Sequence, residues 1–463
     1  MHRSTGARSK FYLHRLMNSG RQRGSEGGLL RAVGMWALAA SIINVTIGGG
    51  IFRLPSNPDI AGVLGSAAPL AFIVCAVAMG LIVVCLADAG SRVPLTGGPY
   101  AYIETAFGAY PGFLSGVMLW LLGTAAAAAV ATVFADNVAR LVPFFGNAVA
   151  RGALVVGVLA LLTSINIRGV TYGSRLNVVT TIMKLLPLLM LVALGAFAVD
   201  PGNLTWQATP SPSDVSRASI VLIFAFAGIE TALVPSGEVS DPARTVPRAI
   251  FLAMTVVTVL YIAIQLVAQG VLGPDLVGST TPLADAANRV MGPWGGFVLS
   301  IGVVVSTFGY LSGMTLATPR ALFAFSRDGF LPGWMSAVDS RFHTPYVALV
   351  IQFFIVAGLT ISGSFERLLI IANVAALLLY LACCAASWEL RRRNVRIGGI
   401  PYRVRGTSVA APLAIVAIVY MLTSITIKEW SVLLAVAAIA TFIFFVTLAH
   451  RRRLPASHRR ATS

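Results

Sequence analysis

Apolar stretches of about twenty residues recur throughout this chain of 463 residues. A stretch of that length with few charges is what an α-helix needs to cross a lipid bilayer. The hydrophobic fraction is 57% and the charged fraction is 11%, whereas a soluble domain carries roughly 25% charged residues. These values predict an all-α integral membrane protein and argue against a set of soluble domains.

Twelve segments meet this requirement and are predicted to be transmembrane helices. They are residues 33–55, 67–92, 110–138, 149–167, 175–199, 216–237, 247–272, 294–325, 346–363, 366–390, 410–427 and 429–449. The chain therefore divides into a basic tail (1–32), a transmembrane domain (33–450) and a second short tail (451–463). Residues 1–32 show no signal peptide and are predicted to be disordered.

Basic residues are concentrated in three regions that an even number of spans places on one side of the membrane. Seven Lys and Arg residues precede the first span, six arginines lie in RRRNVRIGGIPYRVR, and five follow the last span in HRRRLPASHRR. Because cytoplasmic loops carry the excess of Lys and Arg, both termini are predicted to be cytoplasmic in a multi-pass protein of the cell (plasma or inner) membrane. This topology accounts for the net charge of +17, so no nucleic-acid partner is expected. The basic tail either contacts anionic membrane lipid or only sets the topology.

Two of the twelve spans contain residues that interrupt a helix. Span 1 carries Gly48, Gly49 and Gly50, and span 6 carries Gly228 and Pro235. Interrupted helices at matching positions of two halves are the best sequence indication of a transporter's binding site. The interruptions lie five spans apart, and five is odd, so the second half would insert in the opposite orientation. The sequence therefore predicts a LeuT-like 5+5 inverted repeat (residues 33–199 and 216–390) followed by two C-terminal helices (410–450).

Five motifs, in the expected order, resemble those of the amino acid–polyamine–organocation (APC) transporters. They are IGGGIF (47–52), PLTGGPYAYIETAFG (94–108), FAFAGIE (224–230), SDPARTVPRAI (240–250) and PRALFAFSRDGFLP (319–332). The chain is thus identified by resemblance as an APC-type amino acid permease, which implies secondary transport by alternating access. It departs from the family pattern at Gly49, where many relatives have serine or alanine, and in its long basic N-terminus.

The interrupted spans would expose backbone groups that suit the two ends of an amino acid. Unpaired N–H and C=O groups are tolerated in hydrocarbon only where they line a cavity or meet a ligand. The predicted backbone site consists of the amides of Gly49, Gly50 and Ile51 for the carboxylate, the carbonyls of Thr46, Phe224 and Ala227 for the ammonium, and the adjoining Gly48 and Gly228. The alternative is that the glycines only form a helix-packing face.

Side chains of the substrate pocket are predicted from motif position. Phe224 resembles the family's aromatic residue that closes over the substrate, although a core phenylalanine is the alternative. The other predicted pocket residues are Leu122, Gly123, Ala126, Met314 and Ala372. None of these five is charged, which favours a neutral amino acid. The small-residue run TAAAAAVAT (124–132) is assigned mainly to helix packing.

Ionisable residues inside the spans are candidates for gating or proton coupling. Lys184 matches a helix 5 position where a lysine replaces a sodium ion in some sodium-independent relatives. It either exchanges protons, acts as a fixed cation or extends to a membrane interface. Glu230 either pairs within the protein, gates the pocket or transfers a proton. Asp88, Arg92 and Arg244 near the cytoplasmic span ends form either an intracellular gate or solvated loop charges.

These features together predict proton-coupled uptake of a neutral amino acid. The alternatives are an exchanger of amino acids or polyamines with the same fold and, less favoured, a transporter-like membrane sensor. The expected partners are a small-molecule amino acid, protons and membrane lipid. No cofactor and no metal is predicted, because no histidine lies within a span and the four cysteines lack zinc spacing. The absence of a Walker motif excludes ATP as the direct driver, and no nucleophile–base constellation indicates an enzyme.

Overall fold

The computed structural model describes most of the chain between residues 34 and 453. The described ranges are 34–95, 97–168, 173–206, 209–233, 239–327, 330–342, 344–397, 400–402, 404, 406–423 and 425–453. The predicted N-terminal tail and the part of the predicted C-terminal tail beyond Arg453 lie outside these ranges.

Secondary structure is helical throughout the described ranges, which contain no β-strand. The first eight α-helices are α1 (Met35–Thr46), α2 (Gly50–Arg53), α3 (Ala68–Arg92), α4 (Pro99–Phe107), α5 (Ala109–Leu141), α6 (Ala148–Ile167), α7 (Gly173–Gly195) and α8 (Pro212–Phe226). The others are α9 (Ile229–Ala232), α10 (Pro242–Leu272), α11 (Pro282–Ala317), α12 (Pro319–Arg327), α13 (Tyr346–Ser362), α14 (Phe365–Arg392), α15 (Thr407–Thr423) and α16 (Ile427–Arg453).

Nine helical segments in the described ranges are long and apolar enough to cross a membrane. Three further helices are apolar but shorter: Met183–Ala198, Tyr346–Ser362 and Thr407–Thr423. The structure therefore confirms an all-α protein with multiple apolar spans, and these segments overlap the predicted ones in order. That twelve helices cross the bilayer as a 5+5 inverted repeat stays a prediction. Helix α11 begins earlier, at Pro282, but Gly292 has non-helical dihedral angles (φ 71°, ψ −170°) and divides it. The part after Gly292 begins close to the predicted start at 294, and the residues from Pro282 to Gly292 form an additional helical segment before it.

Helix starts follow from local sequence. Ser211 accepts a hydrogen bond from the Asp214 amide at 3.1 Å before α8, and Asn147 does the same for the Ala150 amide at 2.8 Å before α6. These side chains satisfy N–H groups that have no partner within the first helical turn. Proline occupies the first turn of α3, α4, α8, α10 and α11, where its missing N–H costs no hydrogen bond.

Helix α5 lies at the centre of the bundle and packs against α4, α11, α13 and α14. Helix α10 packs against α1 and α3, while α8 packs against α3 and α14. The interrupted segments α1–α2 and α8–α9 are therefore enclosed by complete helices, which places their ends in the interior of the protein. The small residues of α5 between Ala125 and Ala129 are all buried, and they allow this close helix packing.

The contact between α7 and α11 depends on a glycine. A Cβ atom added at Gly302 of α11 would lie 2.7 Å from Cγ of Pro187 in α7, which is too short for a real contact. Gly313 of the same helix has open space at that position, with nothing within 4 Å. The missing side chain of Gly302 therefore permits the close contact between α7 and α11, whereas no close contact depends on Gly313.

We expect Gly302→Ala to lower the thermal stability of the detergent-solubilised protein by a few degrees, because overpacking costs about 1–3 kcal/mol. Gly313→Ala is the matched control and should leave stability unchanged or raise it, since alanine favours a helix by about 1 kcal/mol over glycine. Fluorescence-detected size-exclusion chromatography after heating measures both. Equal melting temperatures for the two variants would contradict the assigned α7–α11 contact.

Candidate functional site

The first interruption follows α1 directly. In a continuous helix the Gly48 amide would donate to the Asn44 carbonyl. Here it donates instead to Thr46 O at 2.8 Å, and Ile47 leaves the helical conformation (φ −76°, ψ 71°). The helix resumes in α2 at Gly50. The three consecutive glycines thus coincide with an actual change of direction inside the span.

The second interruption separates α8 from α9 and requires a glycine. Ala227 is extended (φ −68°, ψ 155°), and Gly228 has φ +119°, a region that side-chain-bearing residues rarely adopt. A Cβ atom at Gly228 would also lie 2.9 Å from Cγ1 of Val45 and 3.1 Å from its carbonyl oxygen. Gly228 therefore allows both the turn and the close approach of the two interrupted helices.

Glu230 closes the end of α8 with its side chain. Its Oε1 accepts a hydrogen bond from the Gly228 amide at 2.8 Å, and its Oε2 accepts one from the Tyr380 hydroxyl of α14 at 2.7 Å. In a continuous helix the Gly228 amide would donate to the Phe224 carbonyl. Glu230 thus takes the donor away from Phe224 and leaves that carbonyl without its helical partner.

Lys184 performs the corresponding role at the end of α1. Its Nζ donates to the carbonyls of Asn44 at 2.8 Å and Ile47 at 2.9 Å. Those carbonyls would otherwise accept from the amides of Gly48 and Ile51. A cation at a helix C-terminus satisfies the last carbonyls and interacts favourably with the helix dipole. The Lys184 side chain is buried beside the interruption rather than extended to an interface.

Tyr261 connects the two interrupted helices and was not expected from the sequence. Its hydroxyl lies 2.9 Å from the Thr46 carbonyl of α1 and 2.9 Å from the Ala225 carbonyl of α8, and the residue is fully buried in α10. One sequence feature could have identified it: Tyr261 is the single tyrosine of an otherwise apolar span. A buried tyrosine hydroxyl usually has a hydrogen-bond partner, so a contact with another helix could have been expected. Thr46 O, a predicted ammonium ligand, thus already accepts from the Gly48 amide and shares the single Tyr261 proton with Ala225 O.

A small pocket lies where the two interruptions meet. Most of the predicted substrate residues line it: Thr46, Gly48, Gly49, Gly50, Leu122, Ala126, Phe224, Ala227, Gly228 and Met314. Glu230 also lines it, as do Val45, Val130 and Tyr310, which were not among the predicted residues. The ring of Tyr310 faces Gly48, since an added Cβ there would lie 3.1 Å from Tyr310 Cδ2.

Three predicted substrate residues do not line this pocket. Ile51 is buried within α2, and Ala372 is buried within α14. Gly123 faces Thr318 at the end of α11 instead, because an added Cβ would lie 3.0 Å from the Thr318 hydroxyl. Lys184 also lies outside the lining and reaches the site only through the carbonyls at the end of α1.

Charged residues cluster beyond the pocket at the start of α14. Arg53 lies 3.7 Å from Asp136 of α5 and 3.9 Å from Glu366 of α14. Its guanidinium carbon lies 5.9 Å from the centroid of the Phe365 ring, within cation–π range. Phe365 in turn packs edge-on against Phe224 of the pocket, with centroids 5.9 Å apart. This Arg53 cluster thus connects four helices above the pocket, since Asp136 also pairs with Arg151 of α6.

A second cluster lies at the opposite end of α14. Asp88 of α3 pairs with Arg92 at 2.9 Å, lies 3.8 Å from Arg391, and accepts a hydrogen bond from Ser387 at 3.3 Å. Asp88 and Arg92 are buried. Arg244 does not belong to this cluster, because it is exposed and lies 4.0 Å from Asp241. The three charges thus separate into a buried Asp88 cluster and an exposed Arg244–Asp241 pair at the start of α10.

In the described part of the chain, no three His, Cys, Asp or Glu side chains form a group that could hold a metal ion. Cys75, Cys85, Cys383 and Cys384 are all buried as free thiols. The polar groups of the residues that line the pocket are backbone amides and carbonyls, the Glu230 carboxyl group and the hydroxyls of Thr46 and Tyr310.

Comparison with known proteins agrees with this architecture. The chain is similar to the serine/threonine exchanger SteT of Bacillus subtilis, at 28% identity over 380 residues that cover 80% of this chain and 85% of that protein. It is also similar to the methylthioribose transporter of the same species, at 26% over 432 residues covering 90% and 93%. The Asc-type amino acid transporter 1 of Mus musculus is 28% identical over 345 residues, covering 70% of this chain and 63% of that protein.

A family model described as amino acid permease matches residues 33–449, which include all the apolar helices. The family and the relatives above are transporters rather than enzymes, and the apolar helices indicate a multi-pass membrane protein. The chain therefore belongs to the amino acid permease family.

Proposed function

We propose that this protein is a secondary active transporter that takes up a neutral amino acid across the cell membrane by alternating access, coupled to protons. The observation that carries the proposal is the meeting of two interrupted helices at one pocket. Unpaired backbone groups in a membrane interior need a partner, and the carboxylate and ammonium of an amino acid provide one for each sign.

The substrate would lie between the start of α2 and the end of α8. Gly49 and Gly50 line the pocket at the start of α2, so their amides suit the carboxylate, and the amide of Ile51, the next residue, would support them from outside the lining. The carbonyls of Phe224 and Ala227 suit the ammonium, since the Gly228 amide has been diverted to Glu230. The Thr46 carbonyl would accept from the ammonium only in addition to, or in place of, the Gly48 amide and the Tyr261 hydroxyl.

A neutral side chain follows from the charges around the pocket. Among the described residues that line it, Glu230 is the one acidic or basic side chain, and both of its oxygens already accept hydrogen bonds. An anionic substrate side chain would have no basic partner there, and a cationic one would have Glu230 alone, whose two oxygens are already engaged. Burying a charge without a sufficient partner is costly. The printed names of two relatives, a serine/threonine exchanger and an Asc-type amino acid transporter, support the same substrate class.

Lys184 is the proposed proton-exchanging group. Its protonated amine donates to two carbonyls at the end of α1, and one of them belongs to Ile47, which directly precedes Gly48 of the pocket. Loss of the proton removes the positive charge and weakens both bonds, so the end of α1 loses part of its support. Protonation would thereby change the conformation of the interrupted helix that holds the substrate.

Orientation in the membrane assigns the two charged clusters to the two faces. With cytoplasmic termini, the Arg53 cluster lies at the extracellular end and the Asp88 cluster at the cytoplasmic end. Each joins helices that would have to separate for the pocket to open on that side. We assign them as the contacts that keep the closed face closed during alternating access.

Exchange is the second candidate, favoured by the similarity to a serine/threonine exchanger. Reconstitution into liposomes distinguishes the possibilities with a panel of labelled neutral amino acids and methylthioribose. A symporter accumulates substrate when a pH gradient is imposed on empty liposomes, whereas an exchanger needs substrate inside. A sensor would bind without accumulation, which would overturn the proposal.

The pocket itself is tested with Gly49→Leu. A Cβ at Gly49 would already lie 3.0 Å from Val130 Cγ2, so a leucine would fill the substrate space. We expect uptake to fall at least about a hundredfold, the loss that corresponds to roughly 2.8 kcal/mol of binding. Gly80→Leu is the control, because Gly80 of α3 has open space and should retain uptake. Normal uptake by a well-folded Gly49→Leu variant would exclude this pocket.

Proton coupling is tested with Lys184→Arg, which keeps a cationic donor that does not lose its proton. For one proton per substrate, a gradient of one pH unit supports at most about tenfold accumulation, equivalent to about 1.4 kcal/mol. We expect the wild type to approach this limit and the arginine variant to equilibrate without accumulation while still exchanging substrate. Persistent pH-driven accumulation by Lys184→Arg would assign coupling to another group.

Glu230 is expected to act through hydrogen bonds rather than through its charge. Glu230→Gln keeps an oxygen for the Gly228 amide and an NH₂ group beside Tyr380, so uptake should stay within about threefold of the wild type with the same pH dependence. Glu230→Ala removes both contacts and should reduce uptake at least about tenfold. If the glutamine variant loses pH dependence, Glu230 belongs to the proton pathway instead.

A further inference from the structure

A basic surface lies at the end of α14, beside the Asp88 cluster. It is formed by the last turn of α14 and the loop that follows, and we call it the arginine surface. Four arginines and two isoleucines are exposed on it: Arg391, Arg392, Arg393, Arg396, Ile397 and Ile400. Glu389 pairs with both Arg392 and Arg393. One carboxylate does not neutralise four guanidinium groups, so the surface is positively charged.

Trp388 indicates the depth of this surface in the bilayer. Its side chain is exposed on α14, and tryptophan in membrane proteins is concentrated at the level of the lipid headgroups. Arg391 follows three residues later, about 4.5 Å further along the helix axis. Ile397 and Ile400 are 47% and 85% exposed. Basic residues interspersed with exposed apolar ones are typical of segments that lie on an anionic membrane.

The loop after α14 is attached to the end of α3. The Ile397 amide donates to the Arg92 carbonyl at 3.0 Å, and Arg92 Nη1 donates to the Val395 carbonyl at 3.5 Å. Asn394 turns the chain back toward α3 with φ 52°. Because Arg92 belongs to the Asp88 cluster, a displacement of Ile397 toward lipid would act directly on that cluster.

Arg391 is the outer member of the Asp88 cluster. Its side chain is 39% exposed and lies 3.8 Å from Asp88, whereas that of Arg92 is 10% exposed and lies 2.9 Å away. If Arg391 leaves, the Asp88 carboxylate keeps Arg92 and the Ser387 hydroxyl, so no buried charge is left unpaired. Its departure does remove the cluster's ion pair between α3 and α14, since Arg92 lies on α3 itself.

We propose that the arginine surface binds anionic phospholipid headgroups of the cytoplasmic leaflet, and that a bound phosphate takes Arg391 from Asp88 and loosens the closed cytoplasmic face. The inference rests on the cytoplasmic termini and the role of the Asp88 cluster proposed above. A guanidinium binds a phosphate through two parallel N–H···O bonds, a stronger arrangement than the 3.8 Å approach to Asp88. The lipid composition then sets how readily the pocket opens to the cytoplasm.

Two native thiols can report this opening. Cys85 and Cys384 precede Asp88 and Ser387 by three residues each, so they lie on the same helix faces about one turn deeper. Both are fully buried, and their thiols are within hydrogen-bonding reach of each other. Separation of α3 from α14 at the cytoplasmic end would expose them to a thiol reagent.

The experiment measures alkylation of each cysteine by N-ethylmaleimide, an uncharged reagent, in purified protein reconstituted into liposomes, with peptide mass spectrometry as the readout. Phosphatidylcholine alone is compared with phosphatidylcholine mixed with phosphatidylglycerol. We expect the anionic lipid to accelerate alkylation of Cys85 and Cys384 at least about fivefold, equivalent to roughly 1 kcal/mol per arginine near an anionic surface. Cys75, roughly 15 Å deeper along α3, should react equally slowly in both. Equal rates for Cys85 and Cys384 in the two lipids would overturn the proposal.

Arg396→Gln tests lipid recognition without altering the Asp88 cluster. Arg396 is exposed, and its Nε donates to Asn394 Oδ1 at 2.9 Å. We expect a roughly fivefold weaker response at limiting phosphatidylglycerol, whereas Arg396→Lys should respond like the wild type because it keeps the charge. Arg289→Gln is the matched control, since Arg289 is exposed, pairs with Asp275 and lies on the opposite side of the predicted topology. A wild-type response by Arg396→Gln would assign the lipid effect to the bilayer as a whole and overturn this site.

Arg391→Gln tests the competition for Asp88. Without Arg391, alkylation of Cys384 should already be fast in phosphatidylcholine alone and should no longer respond to phosphatidylglycerol. Slow alkylation, or a retained response to lipid, would show that Arg391 is not the link. A misfolded variant is recognised by fast alkylation of Cys75, and the Arg396 variants then decide. Because alkylation is measured rather than transport, the result does not depend on the proposed substrate or proton coupling.

Discussion

The architecture depends on the need to satisfy backbone hydrogen-bonding groups inside a membrane. Every N–H or C=O group that leaves a helix in hydrocarbon costs several kcal/mol unless it finds a partner. The protein interrupts two helices at the same depth and provides a side chain for each: Lys184 for α1 and Glu230 for α8. The surrounding bundle is what keeps both side chains away from lipid.

These two residues carry opposite charges because the groups they satisfy are opposite. The end of α1 presents carbonyls, which need a donor, whereas the turn after α8 presents the Gly228 amide, which needs an acceptor. Each cap leaves other backbone groups of the interruption exposed to the pocket. Lys184 and Glu230 satisfy the backbone groups that their side chains can reach. The remaining N–H and C=O groups of the two interruptions are left for a ligand.

Sequence patterns predicted the apolar helices, the two interruptions and most of the pocket lining, because these follow from local properties. Glycine runs, helix period and motif order are visible along the chain without knowledge of long-range contacts. Tyr261 and Tyr310 were missed because their relevance lies in contacts with distant residues, such as Thr46 and Gly48, which no local pattern encodes. Gly123 and Ala372 were placed by motif position, yet a rotation along the helix decides whether such a residue faces the pocket or a neighbouring helix.

Tyr261 has a property that the other contacts lack. Its hydroxyl carries one proton but lies at equal distance from carbonyls of two different helices, α1 and α8. If those helices move apart, the phenol can follow either one and still donate its single proton in full. The number of hydrogen bonds donated by Tyr261 is then the same before and after the movement, so this connection aligns the two interruptions without opposing their separation.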